Sequence, residues 1–124
     1  MTYLLVFLGG GCGTMFRHFV NMVCFKAFGP HFPFGTLIIN ISGSMVMGLI
    51  AGYLTFKGEA SQHWRLFLMV GFLGGYTTFS AYSLDAVLLF ERGELAQSLL
   101  YAGGTVILAI TGLVAGLAIV RHFA

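Results

Sequence analysis

The chain points to an all-α integral membrane protein of four transmembrane helices, the third of them broken, and three observations carry that expectation. Of its 124 residues 58% are hydrophobic and only 8% are charged, a balance that lies outside the soluble globular range. The apolar residues gather in four stretches, at about residues 3–25, 34–56, 66–90 and 95–120, each matching the roughly 20 residues a helix needs to cross a bilayer core. The connections around residues 29–33, 57–63 and 92–94 are too short to hold a soluble domain, so residues 1–124 read as one transmembrane domain.

The first stretch is interrupted by Arg17 and His18 but resumes its apolar pattern after them, and no basic cluster precedes Leu4, so it reads as a mature span rather than a cleaved signal. Arg17 has two readings: it sits in a wet vestibule and attracts anions, or its head snorkels and anchors the helix. Cys12 and Cys24 lie inside this span without metal-ligand spacing and read as small apolar residues.

The second stretch carries Thr36, Asn40 and Ser44 at i, i+4 and i+8, one polar row on one helical face, continued by Gly48 and Gly52. Asn40 offers two N–H donors and one acceptor, which in a pore replace part of an anion's hydration shell. Taken alone, the row is better explained as interhelical hydrogen bonding, with Ser and Thr bonding their own i−4 carbonyls.

The third stretch is the most informative. Gly74-Gly75 followed by Tyr76-Thr77-Thr78 joins poor helix formers to β-branched residues and predicts a break. With no water in hydrocarbon, the backbone groups freed there must line a cavity, bind an ion or be buried in protein. Free carbonyls suit a hard cation, and free N–H groups at the restarted helix favour an anion. Beyond the break, Phe79 and Tyr82 share one face and Ser80 and Ser83 an adjacent one. Ring edges carry partial positive charge and can contact a small anion without trapping it, although an aromatic pair at this spacing also reads as core packing. Asp85 is a poor direct contact for an anion and reads as a structural, hydrogen-bonded carboxylate. The fourth stretch repeats the polar row with Gln97, Tyr101 and Thr105, then turns apolar at Ala109 and Leu113.

Basic residues near the span ends divide three to two, Lys57, Arg65 and Arg121 against Lys26 and Arg92, which leaves almost no positive-inside bias. Such a chain can insert both ways, and two opposed copies then pair about an axis in the membrane plane. Of the eighteen glycines, Gly9 with Gly13, Gly48 with Gly52 and Gly112 with Gly116 stand four apart, the spacing at which membrane helices approach closely.

Three blocks of the sequence resemble the Fluc (CrcB) fluoride channels: Gly9-Gly-Gly-Cys-Gly-Thr-Met-Phe-Arg17, Gly35-Thr-Leu-Ile-Ile-Asn-Ile-Ser-Gly43 and Gly71-Phe-Leu-Gly-Gly-Tyr-Thr-Thr-Phe-Ser80. The resemblance covers essentially the whole chain. It implies an antiparallel dual-topology homodimer in membrane lipid, two fluoride pores, and a structural Na+ at the dimer centre held by the backbone carbonyls of Gly74 and Thr77. It implies a pore lined by Asn40, Phe79, Ser80, Tyr82, Tyr101 and Thr105, with Arg17 and Asp85 in vestibular or structural positions. The chain departs from the family pattern at Tyr82 in place of the second phenylalanine, at Ala81, and where the polar row lapses at Ala109 and Leu113.

The function expected is passive export of fluoride across a prokaryotic cytoplasmic (inner) membrane by a multi-pass channel. One alternative is a proton-coupled exporter like the small multidrug resistance proteins, which depend on a first-helix glutamate that this chain lacks. A second is a non-conducting partner subunit of a heterodimeric fluoride channel. An enzyme is not expected: HExxH, P-loop and nucleophile-elbow motifs are absent, and His18, His31, His63 and His122 are scattered. The net charge of +2 gives no reason to expect nucleic acid as a partner.

Overall fold

A computed structural model describes residues 1–57 and 62–123. Among them every regular element is helical: α1 (Thr2–Phe28), α2 (Phe34–Lys57), α3 (Gln62–Arg65) continuing into a π-helical segment (Leu66–Leu73) and α4 (Gly74–Tyr76), then α5 (Phe79–Glu91) and α6 (Leu95–Phe123). The connection read between residues 57 and 63 falls mostly outside the described residues.

α1 and α5 both end at a glycine with positive φ. α1 ends at Gly29, whose φ of 79° is the left-handed conformation that suits glycine, and its N–H closes the last turn on the Phe25 carbonyl at 2.8 Å. Pro30 and Pro33 then carry the chain to α2. α5 closes in the same way through Gly93 at φ 81°, with its N–H on the Phe90 carbonyl at 3.0 Å.

Packing follows the small residues. α2 lies along α6, and there Gly48 faces the backbone of Leu113 while Gly116 faces the Met45 carbonyl. A side chain at either would collide with main chain, so the two glycine pairs read from the sequence form one seam. The pair Gly9 and Gly13 serves a second seam, in which α1 packs on the π-helical segment and α4. At that seam a Cβ added to Gly71 would stand 3.0 Å from the Cα of Gly9. Between the seams Ile39, Leu73 and Tyr76 form a small buried core.

Two helical runs, Phe34–Thr55 and Leu95–Phe123, are each long and apolar enough to cross a membrane. The sequence leads one to expect four spans, the third of them broken. α1 reaches the length but carries Arg17, His18 and Lys26, and the third is divided into short pieces. Much of the outer surface is apolar, with Phe7, Phe19, Leu100, Ile107 and Ile110 all exposed. An apolar exterior of this kind is that of a membrane protein, whose solvent is lipid.

Candidate functional site

The break in the third span is made by two extended residues. Thr77 ends α4 by donating both its N–H, at 3.0 Å, and its Oγ1, at 2.9 Å, to the Leu73 carbonyl. Thr77 (φ −80°, ψ 157°) and Thr78 (φ −149°, ψ 124°) are then extended. α5 restarts under an N-cap, with Thr78 Oγ1 accepting from the Ala81 N–H at 3.2 Å.

The carbonyls of Gly74, Gly75, Tyr76 and Thr77 lose their helical donors as a result, and the first and last of them bear on the site. In a continuous helix the Thr78 N–H would bond the Gly74 carbonyl and the Ala81 N–H that of Thr77. Instead Thr78 N–H donates to Asn40 Oδ1 at 2.8 Å, and Ala81 N–H goes to the threonine cap. Gly74 stands at an exposed position where a Cβ would meet only the Met69 carbonyl, at 3.7 Å. Gly74 and Thr77 are the two residues expected to hold a cation, and their released carbonyls are hard oxygen donors.

Asn40 plays a part that its place in a polar row did not reveal. Besides accepting from Thr78 N–H, its Nδ2 donates to the Thr78 carbonyl at 2.9 Å, so one amide bridges both backbone groups of the extended residue. One Nδ2 hydrogen remains for another partner. Thr78, which lines the groove and is bridged by this amide, is the residue at the site that sequence reasoning missed. The signal available was an asparagine at mid-span opposite a predicted break, where backbone groups need partners.

A groove of about 410 Å³ runs beside the break. Asn40 and Ser44 line it from α2, Thr78, Phe79 and Tyr82 from the break and α5, and Thr105 from α6, while Ala109 and Leu113 give it an apolar end. Thr105 is 4% exposed, and its Oγ1 has no hydrogen-bond partner among the described residues. Phe79 is 76% exposed, with its ring 5.5 Å from that of Tyr82. The Tyr82 hydroxyl donates to the Ala102 carbonyl at 2.6 Å.

Of the expected pore residues, Asn40, Phe79, Tyr82 and Thr105 come together in this groove. Ser80 is exposed outside its wall, with Oγ 3.4 Å from Thr78 Oγ1. Tyr101 lies one layer behind, its ring 5.4 Å from Tyr82 and edge-on to Phe32 at 5.6 Å. Its hydroxyl donates to Asp85 Oδ2 at 3.2 Å, which makes Asp85 a hydrogen-bonded carboxylate. Asp85 also borders a separate cavity of about 260 Å³, shared with Asn21, Thr36 and Arg92. Arg17 is half-buried elsewhere, beside a groove lined by Thr14, His18 and Asn21. Gln97, grouped with Tyr101 and Thr105 by spacing, is exposed.

Comparison with known proteins gives the same answer along the whole chain. Residues 4–117 match the family described as CrcB-like protein, Camphor Resistance (CrcB). A protein of Nitrobacter hamburgensis called fluoride-specific ion channel FluC 2 is 68% identical, over 98% of each chain. Proteins called fluoride-specific ion channel FluC are 66% identical in Rhodopseudomonas palustris, over 98% of each chain, and 50% identical in Methylobacterium nodulans, over 97% of this chain and 96% of that one. With the family pattern matched from the first helix to the last, and with identities this high over nearly complete lengths, the chain belongs to the CrcB family.

Proposed function

We propose that the protein is a passive, fluoride-selective channel in a prokaryotic cytoplasmic membrane, crossing it four times and working as an antiparallel homodimer of oppositely inserted copies. The relatives are ion channels by name, and the family is one of channels rather than enzymes. The observation that carries the reading is the groove beside the break, where the free Nδ2 hydrogen of Asn40, the unpartnered Thr105 hydroxyl and the rings of Phe79 and Tyr82 surround one space. A fluoride ion entering it exchanges tightly held water for several moderate contacts, two from N–H or O–H donors and others from ring edges, so no single site holds it too long. The multidrug-exporter alternative falls with the family assignment.

A second copy suits this site. The groove is open along one side in the single chain and the Phe79 ring stands out of it, so an opposed neighbour would close the wall. The released carbonyls of Gly74 and Thr77 fit a sodium ion, two oxygens from each copy, and when bound the ion supplies a positive charge that holds the facing breaks together. Neutral hydrogen fluoride enters an acid-stressed cell and dissociates in the more alkaline cytoplasm. The negative-inside potential then drives the anion out with about 2.3 kcal/mol per 100 mV, with no coupled proton or nucleotide.

Fluoride efflux from proteoliposomes tests the reading, with organic-cation uptake as the control and Asn40→Ala and Phe79→Ala as comparisons. Fluoride flux that both substitutions diminish is the expected result. Absence of fluoride flux from the pure chain, restored by a second subunit type, would favour the partner-subunit alternative.

A further inference from the structure

Tyr82 borders the groove, yet its hydroxyl is directed away from it. The phenol has one hydrogen to give, and at 2.6 Å from the Ala102 oxygen that hydrogen is committed to the carbonyl. What the oxygen has left are lone pairs, which repel an anion. A halide in the groove therefore gains nothing from this hydroxyl while the bond stands.

The bond joins two helices. The Cβ of Tyr82 belongs to α5 and the acceptor to α6, so the long axis of the ring spans the gap between them. The ring has two aromatic neighbours, Phe79 at 5.5 Å and 49° and Tyr101 at 5.4 Å and 41°. Tyr101 is itself held by its bond to Asp85 and is 1% exposed, so it is a firm backing. A ring with its axis set at both ends acts as a strut of fixed length at the wall of the groove.

We propose that Tyr82 is a positioning residue. Its hydroxyl tethers α5 to α6 at Ala102, and that tether sets the width of the groove and the stance of the Phe79 ring, which together decide the size of halide admitted. The inference rests on the groove being the path of the anion, and the experiment separates the two claims. In proteoliposomes, Tyr82→Phe keeps the ring and loses the tether. The expected result is a fluoride-to-chloride permeation ratio lowered by about fivefold, the worth of one hydrogen bond. A ratio that stays at the parent value would overturn the proposal, whatever happens to the flux, because groove width would then not depend on the tether.

A second readout does not need flux. The carbonyl carbon of Ala102, observed by NMR, is expected to shift on Tyr82→Phe and to stay in place when fluoride is titrated into the parent protein. A fluoride-induced shift as large as the mutational one would show the hydroxyl swinging from the carbonyl to the ion, and would equally overturn the proposal. If the parent protein conducts no fluoride, the pathway reading fails, and the Ala102 signal still decides whether the tether exists.

Discussion

Replacing Asn40 by alanine tests the logic of the break most directly. The amide makes two hydrogen bonds to Thr78, at 2.8 Å to its N–H and 2.9 Å to its carbonyl, and Thr78 is only 9% exposed. Leaving one buried polar group without a partner costs about 1–3 kcal/mol, so two cost about 2–6 kcal/mol if the backbone holds its shape. The low end applies if water from the groove reaches either group. The chain has one way to reduce the penalty, which is to let the Thr78 N–H return to the Gly74 carbonyl four residues back and rebuild a helical turn. That repair removes one of the two oxygens assigned to the cation.

Asn40→Ala is therefore expected to lower stability toward denaturant in detergent, to raise the exchange rate of the Thr78 amide by about 30-fold or more at the low end of that range, and to abolish fluoride flux. Asn40→Asp keeps an acceptor for the N–H and places a carboxylate against the Thr78 carbonyl, so it should fall between the parent and the alanine variant in stability and still fail to conduct. An alanine variant as stable as the parent, with Thr78 exchange unchanged, would refute the argument that this side chain holds the break.

Four further outcomes follow from the same structure. Gly48→Val and Gly116→Val push a branched side chain into the backbone of the facing helix, and each should destabilise by about 1–3 kcal/mol in denaturant titration, whereas valine at open Gly11 should not. Thr105→Val removes a buried hydroxyl that has no partner among the described residues, so stability should hold or rise slightly while fluoride flux drops by about tenfold or more, the worth of one hydrogen bond to an ion. Asp85→Asn keeps an acceptor for the Tyr101 hydroxyl and should unfold close to the parent, while Asp85→Leu strands that hydroxyl and should cost about 1–3 kcal/mol. Exchanging sodium for a large organic cation during reconstitution should weaken dimerisation and flux together, and returning sodium should restore both.

The helices were largely legible in the chain because lipid imposes a simple rule on length and polarity. The expected stretches at 34–56 and 95–120 lie within one to three residues of α2 and α6, and Gly74-Gly75 with the threonines marked the break at Thr77 and Thr78. The π-helical segment Leu66–Leu73 was not legible. It is apolar on every side, so no polar face records its winding, and its wide turns lie along α1 at Gly9 and Gly13, a contact made far away in sequence. At the site, Asn40, Phe79, Tyr82 and Thr105 share one groove, whereas Gln97, which spacing places on the face of Tyr101 and Thr105, is exposed, and Ser80, expected in the pore, lies outside the groove wall, since periodicity ranks residues by face and says nothing of what covers that face. The partner of Asn40 stands 38 residues away, beyond any local pattern.

The hydrogen bonding around the break gives the proposed cation and the proposed anion different groups to meet. The N–H groups of Thr77, Thr78 and Ala81 each find an acceptor within the chain, in the Leu73 carbonyl, Asn40 Oδ1 and Thr78 Oγ1. The carbonyls of Gly74 and Thr77 are denied the donors a helix would give them, and on that side the break presents oxygens suited to a cation. Those three N–H groups are not open to an anion, whereas the Phe79 and Ser80 N–H groups in the first turn of α5 have no backbone acceptor across the break. In the proposed channel, side chains beside the break supply further contacts to fluoride. Those are the second Nδ2 hydrogen of Asn40, the Thr105 hydroxyl and the aromatic edges. Asn40 belongs to both arrangements: its oxygen and one hydrogen hold Thr78 in the shape that frees the carbonyls, and its other hydrogen faces the groove. A substitution at this one position should consequently disturb cation binding and anion flux together, whereas Thr105→Val should disturb the anion alone.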